Sequence, residues 1–85
     1  MKSFTYTIRD SLGIHARPAG LLVKKAKGYA SVCTLETNEK IVELTKLFAL
    51  MGLGIICGST VTVKTEGIDE DQAIQGLEEF FKTNL

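Results

Sequence analysis

Thr60-Val61-Thr62-Val63-Lys64-Thr65-Glu66, followed by Asp69-Glu70-Asp71-Gln72-Ala73-Ile74-Gln75-Gly76-Leu77-Glu78-Glu79-Phe80-Phe81, sets a strand against a helix in one stretch of chain. In the first part Val61 and Val63 alternate with Thr60, Thr62 and Lys64, the period-two pattern of a strand with one wet face. In the second, Ala73, Ile74, Leu77, Phe80 and Phe81 recur at helical spacing and form a wide apolar stripe. Asp69 supplies an N-cap, and Gln72 three residues later completes a capping-box pattern. The acids Asp69, Glu70 and Asp71 suit the positive end of the helix dipole.

Working outward, the same two periods recur. Phe4, Tyr6 and Ile8 alternate with Thr5 and Thr7 in a first strand, which Asp10, Ser11 and Gly13 break. From Ala16 to Lys27, Ala19, Leu22, Val23 and Ala26 share one helical face, Lys24, Lys25 and Lys27 favour the last turn, and Gly28 is placed as a left-handed stop. Ser31 to Glu36 and Ile41 to Leu44 alternate around Thr37-Asn38-Glu39-Lys40, a β-hairpin. Lys46 to Leu53 is densely apolar and reads as a short helix of at most two turns. The order is β-α-β-β-α-β-α. Strands with a single apolar face predict an α+β, two-layer open-faced sandwich: an antiparallel sheet covered on one side by three helices.

The chain has 85 residues, so residues 1–85 are expected to form one domain. Ten Lys and Arg balance ten Asp and Glu, which argues against a nucleic-acid binder. The neutral total hides a division. Residues 1–29 carry six cations against Asp10, a net +5, and the remainder carries −5. That division concentrates positive charge on the first strand, the first helix and the segment between them. No apolar run reaches the ~18 residues of a membrane span, and the start of the chain lacks a signal-peptide pattern, so a cytoplasmic location without membrane insertion is expected. Cys33 and Cys57 have no CxxC pairing and no histidine cluster, and both read as small core residues, with no metal site expected. Gly52-Leu53-Gly54-Ile55-Ile56-Cys57-Gly58 has GxGxxxG spacing between a helix and a strand, the wrong spacing and context for a dinucleotide fingerprint. No cofactor is expected.

The chemistry concentrates in Gly13-Ile14-His15-Ala16-Arg17-Pro18-Ala19, which holds the only His and the only Pro of the chain. Pro is tolerated in a first helical turn, where N–H groups lack intrahelical partners. His is not a preferred N-cap, and in many proteins a histidine so placed is simply solvated. Here the backbone N–H groups of Ala16 and Arg17 and the helix dipole make an anion site, and Arg17 offers a planar fork of donors. The His15 imidazole places a nucleophile beside that anion site. Such an arrangement suits reversible phosphorylation of a ring nitrogen.

These seven residues resemble the phosphorylation-site motif of HPr, the histidine-containing phosphocarrier of the bacterial sugar phosphotransferase system. Met51-Gly52-Leu53-Gly54-Ile55 and Gly76-Leu77-Glu78-Glu79-Phe80 resemble the family's segments after its second helix and in its last one, so the likeness spans the chain. The resemblance implies that His15 accepts phosphate at Nδ1 from enzyme I and passes it to IIA proteins. It implies that Arg17 contacts the phosphoryl group, that the sheet order is 1-4-2-3, and that the protein is a carrier rather than an enzyme. It further implies docking around the first two helices, where Gly20, Leu21, Lys24, Leu47, Phe48 and Met51 are candidates, with a monomer expected. Leu47, Phe48, Leu50 and Met51 are too many apolar residues for so short a helix to bury, so some are expected on the surface.

Three positions depart from the family pattern. Lys46 occupies the place of the regulatory serine found in Gram-positive members; a serine kinase cannot modify it, and the neighbouring Thr45 is expected to cap the short helix. Glu39, where many members have Gly, suggests a different hairpin turn. Gly20 within the first helix reads as a helix-packing residue or as room for a partner. A regulatory paralogue that acts by phosphorylation-dependent binding is the alternative to a transport carrier.

Overall fold

The computed structural model describes residues 1–85. Its elements are β1 (Lys2–Thr7), α1 (Ala16–Lys27), β2 (Val32–Thr37), β3 (Lys40–Glu43), α2 (Leu47–Met51), β4 (Thr60–Glu66) and α3 (Glu70–Asn84). The strands lie in the order β1-β4-β2-β3 and every neighbouring pair is antiparallel. Alternation dictates which side is covered. Phe4, Val63, Leu35 and Val42 align across all four strands and face the helices. The next row, Thr5, Thr62, Glu36 and Ile41, faces away from them. On that open face Thr5 pairs with Thr62 at 3.4 Å, Thr7 with Thr60 at 3.2 Å, and Lys64 with Glu36 at 3.5 Å.

The core lies between this sheet and the helices. α1 contributes Ala19, Leu22, Val23 and Ala26, α2 contributes Leu50, and α3 contributes Ala73, Leu77 and Phe81. The Phe81 ring meets Phe4 and Tyr6 edge-on, at 5.5 and 5.7 Å between centroids. Each fully buried Leu or Phe stabilises the fold by about 1.5–3 kcal/mol relative to exposure.

Helix ends are where the structure departs from the expectations. Gly28 is right-handed (φ −77°, ψ −7°) and not a left-handed stop. The last turn closes instead with tight bonds from Gly28 N–H to Lys25 O (3.1 Å) and from Tyr29 N–H to Ala26 O (3.2 Å), so no left-handed residue is needed. Asp69 is the N-cap residue of α3, but its carboxylate forms no cap and no box with Gln72. It reaches across to the loop before β2, accepting bonds from Ala30 N–H and Ser31 N–H, each 2.8 Å, and from the Ser31 hydroxyl. The start of α3 is held from outside the helix: Glu70 accepts from Gly67 N–H at 3.2 Å and pairs with the N-terminal amine at 2.8 Å. These acids therefore do more than complement the dipole.

The hairpin between β2 and β3 keeps a two-residue loop, with Thr37 opposite Lys40. Asn38 (φ 50°) and Glu39 (φ 66°) both take left-handed backbone, as in a type I′ turn. Register imposes this conformation on Glu39, at a cost of about 1–2 kcal/mol for a residue with a Cβ. Thr45 does not cap α2, because the helix starts one residue later with Lys46 at the N-cap, and Lys46 makes no side-chain cap bond either. Cys33 is buried as expected, whereas Cys57 lies on the surface.

The hydrogen bonds from Ser31, and after them those from the Ala30 and Ser31 N–H groups, hold the Asp69 carboxyl below its ordinary pKa. Its folded pKa is depressed, so the stabilisation is complete above the ordinary carboxylate range and is lost as pH falls through it. Asp69→Asn should therefore be less stable than the parent chain at neutral pH, with the gap closing as the solution is acidified. Urea denaturation at stepwise lower pH measures this, and a gap that does not change with pH would contradict it.

Candidate functional site

The segment between β1 and α1 is shaped by three sets of backbone bonds. Ile8 exchanges bonds with the loop before β4: its N–H donates to Ser59 O (2.9 Å) and its O accepts from Gly58 N–H (2.8 Å). Asp10 closes the next turn, its Oδ1 accepting from Leu12 N–H and its backbone O from Gly13 N–H, both 2.9 Å. Ile14 N–H then bonds Ile55 O at 3.1 Å. At Gly13 the backbone is left-handed (φ 68°) and pressed against the Ile55–Ile56 peptide, where a Cβ would overlap Ile55 O and stand 2.7 Å from Ile56 Cα. Only glycine fits both constraints.

From the far end of the fold, the Leu85 carbonyl accepts bonds from Arg9 N–H (2.6 Å) and Asp10 N–H (2.9 Å). The Arg9 side chain donates to the Tyr6 hydroxyl and to Lys82 O, each at 3.0 Å. Arg9 thereby straps the end of α3 to the loop that leads into α1. Sequence reasoning missed this role; the only signal was a cation directly after the first strand.

The outcome is a helix whose N-cap is His15, in extended backbone (φ −92°, ψ −178°), with no capping bond from the imidazole. Ala19 N–H already donates to His15 O at 3.0 Å, and Pro18 has no N–H. That leaves the N–H groups of Ala16 and Arg17, in the first two helical positions, without an intrahelical acceptor. His15 is half-buried and Arg17 is exposed. Both line a hollow of about 300 Å³ together with Asp10, Pro18, Leu21 and Asn84. No acid lies in the first turn to neutralise the helix end. A half-sheltered imidazole beside two unspent N–H donors and a guanidinium can accept an anionic group and hold it.

Around this point α1 and α2 pack against each other. Leu21 and Lys24 are exposed on α1, while Phe48 (87% exposed) and Met51 (39%) are exposed on α2 and Leu47 is half-buried against the core. Phe48 is not a core residue, as the length of α2 required. A Cβ at Gly20 would meet nothing within 4 Å, which removes helix packing as the reason for that glycine. Leu12 and Ile56, unflagged by any sequence pattern, are also exposed. No group of His, Cys, Asp and Glu is arranged to hold a metal ion, and no helix is long and apolar enough to cross a membrane.

A one-sided sandwich with an imidazole at an uncapped helix start is suited to receiving an anionic group. A family profile described as the PTS HPr component phosphorylation site matches residues 2–83, and the chain belongs to the HPr family. The phosphocarrier protein HPr of Lysinibacillus sphaericus is 47% identical over 91% of this chain and 88% of its own. The solved histidine-containing phosphocarrier protein from Mycoplasma is 37% identical, covering 93% of this chain and 90% of its own, with a TM-score of 0.91. Crh, the Bacillus subtilis catabolite repression protein, is 30% identical over 100% of this chain and 98% of its own, with a TM-score of 0.78. Crh was solved as an intertwined, swapped dimer, so a monomeric state is not a property of the fold. Proteins of this family are phosphocarriers and not catalysts in the usual sense.

Gly13→Ala should shift the start of α1 and lower stability by about 3 kcal/mol, combining left-handed strain with overlap at Ile55. Denaturant unfolding measures it; a cost below about 1 kcal/mol, within the range of ordinary substitutions, would show that Gly13 does not set the helix start.

Proposed function

We propose that the chain carries a phosphoryl group on His15, taking it from enzyme I and passing it to the IIA proteins that serve sugar uptake. In the first transfer a ring nitrogen lone pair of His15 attacks phosphorus, a P–N bond forms, and the bond to the donor breaks with its electrons returning to the donor. The second transfer reverses this toward the IIA acceptor. Ala16 and Arg17 N–H groups and the Arg17 guanidinium bear the charge of the phosphoryl oxygens. The observation that carries the reading is the start of α1, where the only histidine stands at the N-cap with no capping bond and two N–H donors are unspent. Gly20, Leu21, Lys24, Leu47, Phe48 and Met51 form the docking surface around it, apolar at its centre and cationic at its edge, as suits acidic partners. One domain, residues 1–85, is sufficient for this role.

The likeness to Crh favours a second reading, a regulatory relative that acts through phosphorylation-dependent binding. Lys46, exposed at the N-cap of α2, offers no hydroxyl to a serine kinase. Growth on phosphotransferase sugars after deletion separates the two readings: lost growth supports the carrier, and normal growth the regulator.

Incubation with enzyme I and labelled phosphoenolpyruvate should place one acid-labile phosphate on the parent chain and none on His15→Ala. Arg17→Ala should be labelled about tenfold more slowly or worse. Equal label on His15→Ala would overturn the proposal.

A further inference from the structure

An open groove of about 560 Å³ runs between α1 and α3, lined by Leu21, Lys24, Lys25, Tyr29, Phe80 and Asn84. Gly76 on α3 makes this arrangement possible, since a Cβ there would overlap the Tyr29 hydroxyl and stand 3.3 Å from Cε of Lys25. The tyrosine and the stem of Lys25 therefore lie close over the backbone of α3. Leu21 is 49% exposed, and Tyr29 and Phe80 are only half-buried, so the groove keeps apolar surface in reach of solvent.

Charge points to its occupant. The four ion pairs of the chain engage the N-terminal amine, Lys2, Lys64 and Lys82, and none engages Arg17, Lys24 or Lys25. No carboxylate lines the groove. Two adjoining hollows each hold one acid: Asp10, already bonded to Leu12 N–H, beside the shared Leu21 and Asn84, and Glu79 beside the shared Lys25, Phe80 and Asn84. Leu21 and Asn84 line both the groove and the His15 hollow, so the two are continuous. From Arg17 to Lys25 is about 12 Å along the helix axis, the length of roughly four extended residues. A small-molecule site encloses most of its ligand, whereas this groove is open along its length, which suits a segment of chain.

We propose that the α1–α3 groove binds a short acidic segment of a partner protein, an apolar side chain resting on Leu21, Tyr29 and Phe80 and carboxylates meeting Lys24, Lys25 and Arg17. A second element rests on the function proposed above: a phosphoryl group on His15 adds about −1.5 to −2 charges at the end of the groove and occupies Arg17, so the segment prefers the unphosphorylated chain.

The test is an amide NMR titration of the full chain with an acetylated, amidated peptide holding one phenylalanine between pairs of glutamates. Shifts are expected at Leu21, Lys25, Tyr29, Phe80 and Asn84, with affinity falling about fivefold for Lys25→Glu or for the matched glutamine peptide. The Lys25→Glu chain should keep the parent spectrum outside the groove, which separates lost binding from lost fold. Shifts confined to α2 or to the open sheet face, unchanged affinity for Lys25→Glu, or equal response to a small aromatic carboxylate would overturn the groove assignment. Chain phosphorylated by enzyme I should bind about fivefold more weakly, and equal binding would overturn the coupling. If His15 takes no phosphate at all, the function proposed above fails, while the titration of the unmodified chain still decides the groove.

Discussion

The contact on which the site depends is the close passage of Gly13 over the Ile55–Ile56 peptide. Eight residues separate the end of β1 from the start of α1, and in that length the chain must leave the sheet and turn back across it. Left-handed backbone at Gly13 and the bond from Ile14 N–H to Ile55 O fix where the turn ends. His15 consequently falls at the N-cap and not within the helix. The Leu85 carbonyl, binding the N–H groups of Arg9 and Asp10, holds the other side of the same loop. A helix start gripped from both sides is rigid without a cap of its own.

That rigidity allows the site to remain chemically open. A Ser or Asp cap would stabilise α1 by about 1 kcal/mol, and it would consume N–H donors that the proposed function assigns to the phosphoryl group. Pro18 limits the loss, since it removes a donor that would otherwise need a partner. The start of α3 also lacks a side-chain cap, for a different reason. There Asp69 is spent on Ala30 and Ser31, tying helix to loop, and Glu70 binds the N-terminal amine. One uncapped helix end is left free for chemistry and the other is consumed by tertiary structure. The charge division follows the same lines: Arg17, Lys24, Lys25 and Lys27 of α1 make no ion pair, while Asp69, Glu70, Asp71 and Glu78 are engaged in local bonds and pairs.

Much of the fold was legible because burial leaves a periodic trace. The limits of α1 and β4 coincide with the expected ones, and strand alternation correctly assigned the covered face. The sheet order came from family resemblance, because alternation carries no information about which strands are neighbours. What remained illegible shares a cause, namely dependence on partners distant in sequence. Asp69 has the local pattern of a cap, but Ser31 lies 38 residues away and competes for the carboxylate. Glu39 is left-handed because the register of two strands demands it. Cys57 has apolar neighbours in sequence yet sits on an exposed loop. At the site, His15, Arg17 and Pro18 were found by rarity and motif, whereas Arg9 and Asn84 were missed because only folding brings them there.

The function proposed above sets the phosphoryl group of His15 against the unspent N–H donors at the start of α1. It is tested most directly by comparing amide proton–nitrogen spectra before and after phosphorylation by enzyme I and phosphoenolpyruvate. The account predicts that the largest downfield amide shifts fall on Ala16 and Arg17, with phosphorus coupling confined to the His15 ring. Phosphate on any other residue, or Ala16 and Arg17 amides that stay in place while His15 is phosphorylated, would contradict it.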